Sequence, residues 1–144
     1  MSITQISVFV ESRPGHLERI LGAFADAGIN VRGFSAGDTG EYGIVRFVVD
    51  QPDAAMGLLQ ERGAAAQATP VLCARLDDRP GELRHVMEVC AEAGINVVYC
   101  YSLASTFIVL SVRDVEAAEA ALSSADIDLV DQAELARSLV GVAM

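Results

Sequence analysis

Ser12 to Val31 read SRPGHLERILGAFADAGINV, and Asp78 to Val97 read DRPGELRHVMEVCAEAGINV. Arg13, Pro14, Gly15, Leu17, Ala25, Ala27, Gly28, Ile29, Asn30 and Val31 recur without a gap as Arg79, Pro80, Gly81, Leu83, Ala91, Ala93, Gly94, Ile95, Asn96 and Val97. The second phrase begins 66 positions after the first. A solenoid needs three or more stacked repeats, so two copies at domain-length spacing point instead to a duplicated small domain. The expected division is 1–69 and 70–144.

Each copy reads as the same series of elements. Ile6, Val8 and Val10 alternate with Ser7, Phe9 and Glu11, the period of a strand, and Leu72, Ala74 and Leu76 repeat that face. Pro14 and Pro80 suit the first turn of a helix, where a missing N–H costs nothing. Leu17, Ile20, Leu21 and Phe24 then fall on one helical stripe, matched by Leu83, Val86, Met87 and Cys90. Gly28 and Gly94 supply the positive φ that ends each helix. Strands are expected from Ile29 and from Ile95. In the first copy GDTGEYG turns the chain into Ile44 to Val49. In the second copy a tighter turn near Leu103 to Ser105 leads into Phe107 to Val112. Second helices follow at Pro52 to Arg62 and Val115 to Ser123. Closing strands are expected near Ala65 to Thr69 and Ile127 to Val130. Asp131 with Glu134 forms a capping-box pattern before a short terminal helix. Each copy is therefore βαββαβ, the ferredoxin-like α+β arrangement in which two helices cover one face of a four-stranded antiparallel sheet.

Composition narrows the function. The 144 residues are 52% hydrophobic and 21% charged, with a formal net charge of −10. That balance suits a folded domain and repels a phosphate backbone or an anionic membrane, so no nucleic-acid or membrane partner is expected. No apolar run approaches the roughly 20 residues of a membrane span, and MSITQISVFVESRPG reads as a strand rather than a signal peptide. Cys73, Cys90 and Cys100 are odd in number and lack CxxC spacing, which suits reduced thiols in the cytoplasm. His16 and His85 have no Cys, Asp or His at ligand spacing. No nucleophile–base pair and no metal or cofactor motif stands out, so neither catalysis nor a cofactor is expected.

The phrase RPGxL, a helix, and then GINV, set on βαββαβ, resembles the ACT domain, a small regulatory module attached to enzymes of amino-acid metabolism such as phosphoglycerate dehydrogenase and aspartate kinase. The resemblance covers about Ile3 to Thr69 and again about Val71 to Val130, and leaves no enzyme domain over. It implies a free amino acid bound where ACT units pair, and a partner enzyme or regulator that reads the binding. The family's ligand loop falls on Ser12, Arg13, Pro14 and Gly15, and on Asp78, Arg79, Pro80 and Gly81. Its recurrent asparagine falls on Asn30 and Asn96. Serine-binding members carry histidine where this chain has Val10 and Leu76, and the loop asparagine is Ser12 in one copy and Asp78 in the other. The implied pocket is thus more apolar, favouring a branched-chain or aromatic amino acid.

The loop has suitable chemistry on its own terms. A helix start offers unpaired N–H groups and partial positive charge to a carboxylate. Asp78 could pair with an α-ammonium group. A helix of about 13 residues, at about 1.5 Å each, puts Asn30 about 20 Å from the loop of its own copy. An antiparallel pairing of copies, within one chain or in a homodimer, would bring Asn96 to the Ser12–Gly15 loop and Asn30 to the Asp78–Gly81 loop. The alternative is a module that holds an assembly together without any ligand. For single residues the simpler readings are a plain helix start for Pro14, Gly15, Pro80 and Gly81, turn residues for Asn30 and Asn96, and surface ion pairs for Arg13 and Arg79. Tyr99 and Tyr101 either line a pocket or pack on the sheet.

Overall fold

The repeat folds twice in a computed structural model that describes residues 1–38, 40, 42–104 and 106–137. Its elements are β1 (Ile3–Glu11), α1 (His16–Asp26), β2 (Val31–Asp38), β3 (Tyr42–Val49), α2 (Pro52–Glu61), β4 (Ala66–Arg75), α3 (Glu82–Glu92), β5 (Val97–Ser102), β6 (Phe107–Val112), α4 (Val115–Ser124), β7 (Asp128–Leu129) and α5 (Gln132–Arg137). Thr39 and Glu41 of the first expected turn, and Ser105 of the second, lie outside the described residues. The chain divides into a unit of Thr4–Thr69 and a unit that joins Met1–Ile3 to the residues from Pro70 onward.

In the first unit β3 pairs antiparallel with both β1 and β2, with Ile6 opposite Phe47 and Phe34 opposite Phe47 on its other side. The Phe9 N–H donates to Ala65 O (3.0 Å), which ties the end of the copy back to β1. Ile6, Val8 and Val10 share a sheet face with Val45, Phe47 and Val49. That face closes on Ile20 and Phe24 of α1 and on Ala55 and Leu59 of α2. Both helices therefore cover the same side. The second unit repeats the plan: β6 pairs with β4 and β5, and β7 pairs with β4, all antiparallel. Leu72, Ala74, Leu110 and Val112 close on Val86, Cys90, Ala118 and Leu122.

The helix ends follow the glycine signal in detail. At the end of α1 the Gly28 N–H donates to Ala25 O and the Ile29 N–H to Phe24 O. Gly94 and Ile95 make the same two bonds to Ala91 O and Cys90 O. This is the Schellman closure, which satisfies orphan carbonyls and needs the left-handed φ of 74° at Gly28 and 71° at Gly94. The edge strands also share an irregularity, a register shift between Val31 and Gly33 in β2 and between Val97 and Tyr99 in β5. A bulge kept at the same place in both copies twists each edge, one of the ways an open edge resists uncontrolled pairing.

Several expectations change. Neither proline is the first helical residue: α1 starts at His16 and α3 at Glu82, with Gly15 (φ 87°) and Gly81 (φ 90°) at the N-cap. The glycines are thus required by a left-handed backbone as much as by room for a ligand. The closing strand of copy one and the opening strand of copy two are one element, β4, which stops at Arg75 and leaves Leu76 outside it. The closing strand of copy two is only Asp128–Leu129. Leu21 and Leu83, expected on the core stripe, are exposed, and Ala23 takes an inward place on α1. Asp131 does cap α5 by accepting from the Glu134 N–H (2.8 Å), but the Glu134 carboxylate bonds to Arg75 Nη2 (2.8 Å).

Candidate functional site

The loop after β1 opens onto a cleft of about 420 Å³ in the first unit. Glu11, Ser12, Arg13 and Pro14 form one rim, while Val10, Leu17 and Val45 with Ala36, Gly37 and Gly43 of the β2–β3 hairpin supply the rest. The wall is therefore apolar and the rim polar. The N-cap Gly15 has no side chain to cap α1, and the positive end of that helix lies beside the rim. Arg13 Nε lies 3.3 Å from Glu11 Oε2, an exposed pair that leaves the guanidinium's other donors available. Gly43 lets the two hairpin strands approach closely at the cleft: a Cβ there would stand 2.6 Å from Gly37 O.

Three of the expected loop residues, Ser12, Arg13 and Pro14, thus share one cleft, with Gly15 following at the helix cap. Asn30 lies at the other end of α1, whose 11 residues span about 16 Å at about 1.5 Å per residue. Its backbone is clamped to Asp50: the Asn30 N–H donates to Asp50 Oδ1 (2.9 Å) and the Asp50 N–H to Asn30 O (3.1 Å). Leu17, read from the sequence as a core residue, also lines the cleft, and Ala36, Gly37, Gly43 and Val45 carry no site expectation in the sequence. The signal was present in the cluster of small residues flanking the hairpin turn, where side chains are absent on both arms.

The second loop is built differently. Arg79 is clamped by carboxylates, with Nη2 at 2.6 Å from Glu82 Oε1 and 3.0 Å from Asp77 Oδ2, and these partners hold its guanidinium protonated more firmly than usual. The first copy has His16 where the second has Glu82, so Arg13 has one carboxylate partner fewer. Asp78, Pro80 and Gly81 do not line the pocket of about 180 Å³ that Asp77 and Glu82 open onto. Asn96 instead lines a groove of about 360 Å³ with Gly94, Arg113, Asp114 and Ala117. In the first copy the Gln51 side chain crosses the matching place by donating to Gly28 O (3.0 Å). Asp114, the counterpart of Gln51, is engaged in capping α4 through the Ala117 N–H (3.0 Å). The two copies therefore present unlike surfaces at equivalent positions. Tyr99 and Tyr101 stack on one face of β5 with ring centroids 6.4 Å apart.

A family model described as an ACT domain pair matches residues 1–139. The chain belongs to the ACT domain pair family. Among solved structures, this ACT pair resembles protein BT0572 from Bacteroides thetaiotaomicron, with 25% identity, a TM-score of 0.91, and coverage of 95% of this chain and 97% of that one. It also resembles the ligand-free regulatory subunit of aspartate kinase from Thermus thermophilus, at 23% identity and a TM-score of 0.62, covering 85% of this chain and 90% of that one. The regulatory subunit of aspartate kinase from Thermus flavus gives 20% identity and a TM-score of 0.58, with 85% and 92% covered. The latter two likenesses carry the fold alone. No curated protein matches this ACT pair. Among the described residues no group of three or more His, Cys, Asp or Glu is arranged to hold a metal ion, and no helix is long and apolar enough to cross a membrane.

All three thiols are free. Cys73 and Cys90 are buried, whereas Cys100 is exposed on β5. Burial pushes the Cys73 thiol from 9.0 up to about 12, against a smaller downward pull from Arg75. A raised folded pKa means that the fold holds a proton that the unfolded chain releases above pH 9. This contribution to stability is complete below that pH and is lost as pH rises through about 12. Cys73→Val should therefore flatten the alkaline fall in stability by up to about 1.4 kcal/mol per pH unit within that window. Urea denaturation at successive pH values checks this, and an unchanged slope would show that Cys73 ionises as easily in the fold as out of it.

Proposed function

We propose that this ACT pair is a non-catalytic sensor that binds a free amino acid with an apolar side chain in the cleft between the Ser12–Pro14 loop and the β2–β3 hairpin. The observation that carries this reading is the composition of that cleft. Ser12, Arg13 and the positive end of α1 suit a carboxylate, Glu11 suits an ammonium group, and Val10, Leu17, Ala36 and Val45 suit an aliphatic or aromatic side chain. The matching loop at Asp78, Arg79, Pro80 and Gly81 makes the weaker site, because Arg79 is already occupied by Asp77 and Glu82.

The cleft is open on one side and becomes a closed site when the ACT unit of a second copy covers it. In such a homodimer the asparagine of one chain, Asn30 or Asn96, completes the loop of the other. Ligand binding then favours one arrangement of the dimer by its differential affinity for that arrangement, and an enzyme or regulator of amino-acid metabolism reads the result. The setting is the cytoplasm.

A thermal-shift screen of the twenty common amino acids tests the reading. A ligand at about 100 times its dissociation constant should stabilise the protein by about 2.7 kcal/mol. Ala36 is exposed on β2, so Ala36→Phe should fill the cleft and abolish the shift while leaving the ligand-free melting temperature nearly unchanged. Stabilisation that survives Ala36→Phe would place the ligand elsewhere. Silence toward all twenty would favour the ligand-independent assembly module.

A further inference from the structure

A second cavity, of about 390 Å³, lies in the first unit between the start of α1 and the end of α2. The buried side chains of Ile20 and Leu59 contribute to its lining, and Arg13, His16, Arg19 and Arg62 bring nitrogen donors to it, against the single carboxylate of Glu11. The chain has only ten basic residues and a net charge of −10, so three guanidiniums at one cavity are a local reversal of the protein's field. Arg13 is paired with Glu11, but among the described residues no carboxylate pairs with Arg19 or Arg62.

Two details point to an anion. Arg19 Nη1 lies 3.3 Å from where a Cβ on Gly15 would stand, so this cation folds back onto the positive end of its own helix. A helix start disfavours a cation, and the carboxylates nearby, Glu18 in the first turn and Glu11 at the cavity, are outnumbered by Arg13, Arg19 and Arg62. His16 Nδ1 accepts a hydrogen bond from the Glu11 N–H (2.8 Å), which leaves the proton on Nε2 as a donor.

The repeat provides an internal control. The equivalent cavity in the second unit is lined by Arg75, Asp77, Glu82, His85, Val86, Ala125, Asp126 and Asp128. Glu82 stands for His16, His85 for Arg19 and Ala125 for Arg62. One guanidinium there meets four carboxylates, and Arg75 is already bonded to Asp128 (2.7 Å) and Glu134 (2.8 Å). The same fold feature is anionic in one copy and cationic in the other.

We propose that the first unit's cavity binds a small dianion, a phosphate monoester or a dicarboxylate, as a second ligand site that adjoins the amino-acid cleft and shares Glu11 and Arg13 with it. Guanidinium forks match both anions in geometry, and Arg19 and Arg62 approach from different helices, so the dianion bridges α1 and α2.

Calorimetric titration with inorganic phosphate and with succinate, at constant ionic strength in chloride, tests this on the whole chain. Saturable binding is expected, weakened by about tenfold in Arg19→Gln and in Arg62→Gln, the change that loss of one charge-assisted hydrogen bond brings. Arg84→Gln, on the exposed face of α3, should stay within about twofold. Tighter phosphate binding identifies the ester class, and tighter succinate binding the dicarboxylate class. No saturable binding of either anion, or equal weakening by all three substitutions, overturns the proposal. Circular dichroism of each variant excludes unfolding as the cause. Arg13 and Glu11, which line both the cavity and the cleft, are left intact and the titrations contain no amino acid, so failure here leaves the reading of the cleft standing.

Discussion

Phe24→Ala is expected to destabilise the first unit by about 3–5 kcal/mol, the range for deleting a fully buried aromatic side chain. Phe24 is 1% exposed and meets Phe47 edge to face, with ring centroids 5.3 Å apart. The pair joins α1 to the centre of β3, so its loss leaves a cavity where helix and sheet meet. Domains of this size have about 5–15 kcal/mol in total, so the variant should be marginal at physiological temperature. The repeat sharpens the expectation. Cys90 occupies the place of Phe24 in the second copy, and Leu110, like Phe47 in its own unit, lies opposite the first strand of its copy in register. Cys90→Ala removes one small group and should cost only about 1 kcal/mol. Urea midpoints of the two variants measure the contrast. Equal losses would mean that Phe24 does not fill the core as described.

Gly43→Ala and Gly37→Ala should differ sharply although both residues line the same cleft. A Cβ on Gly43 would stand 2.6 Å from Gly37 O, and backbone cannot swing aside as a side chain can. The hairpin must part or the residue must shift, at a cost of about 1–3 kcal/mol for overpacking. A Cβ on Gly37 meets nothing within 4 Å, so Gly37→Ala should stay within about 0.5 kcal/mol. Thermal denaturation decides the stability arm. A ligand identified by screening decides the functional arm: Gly43→Ala should weaken it by reshaping the cleft. A stable Gly43→Ala would show that the hairpin adapts freely.

Periodicity carried most of the fold into view. Strand alternation at Ile6–Val10 and the glycine stops at Gly28 and Gly94 are local consequences of backbone geometry, so one sequence suffices to read them. The loop Ser12, Arg13 and Pro14 was singled out through the resemblance to the family's ligand loop, and the fold puts it on the rim of a cleft. Leu21 misled because helical spacing gives a stripe but not its width; the core below α1 takes in Ile20 and Phe24 and leaves Leu21 exposed. Pro14 misled for a related reason. Its φ suits a first helical turn, yet the left-handed Gly15 next to it moves the helix start to His16.

The cleft and the cationic cavity had a different origin. Ala36, Gly37 and Gly43 reach the Ser12–Pro14 loop only because β3 pairs with β2 and also with β1, whose partners on β3 lie 31 to 41 positions away in the chain. Arg62 reaches Arg19 only because α1 and α2 cover the same sheet face. The sequence by itself determined the duplication, the order of elements and the helix stops, since these follow from side-chain period and backbone φ. Only the tertiary structure decided which loop opens onto a cleft and which of two equivalent cavities stays positively charged, because both depend on contacts between segments far apart in the chain.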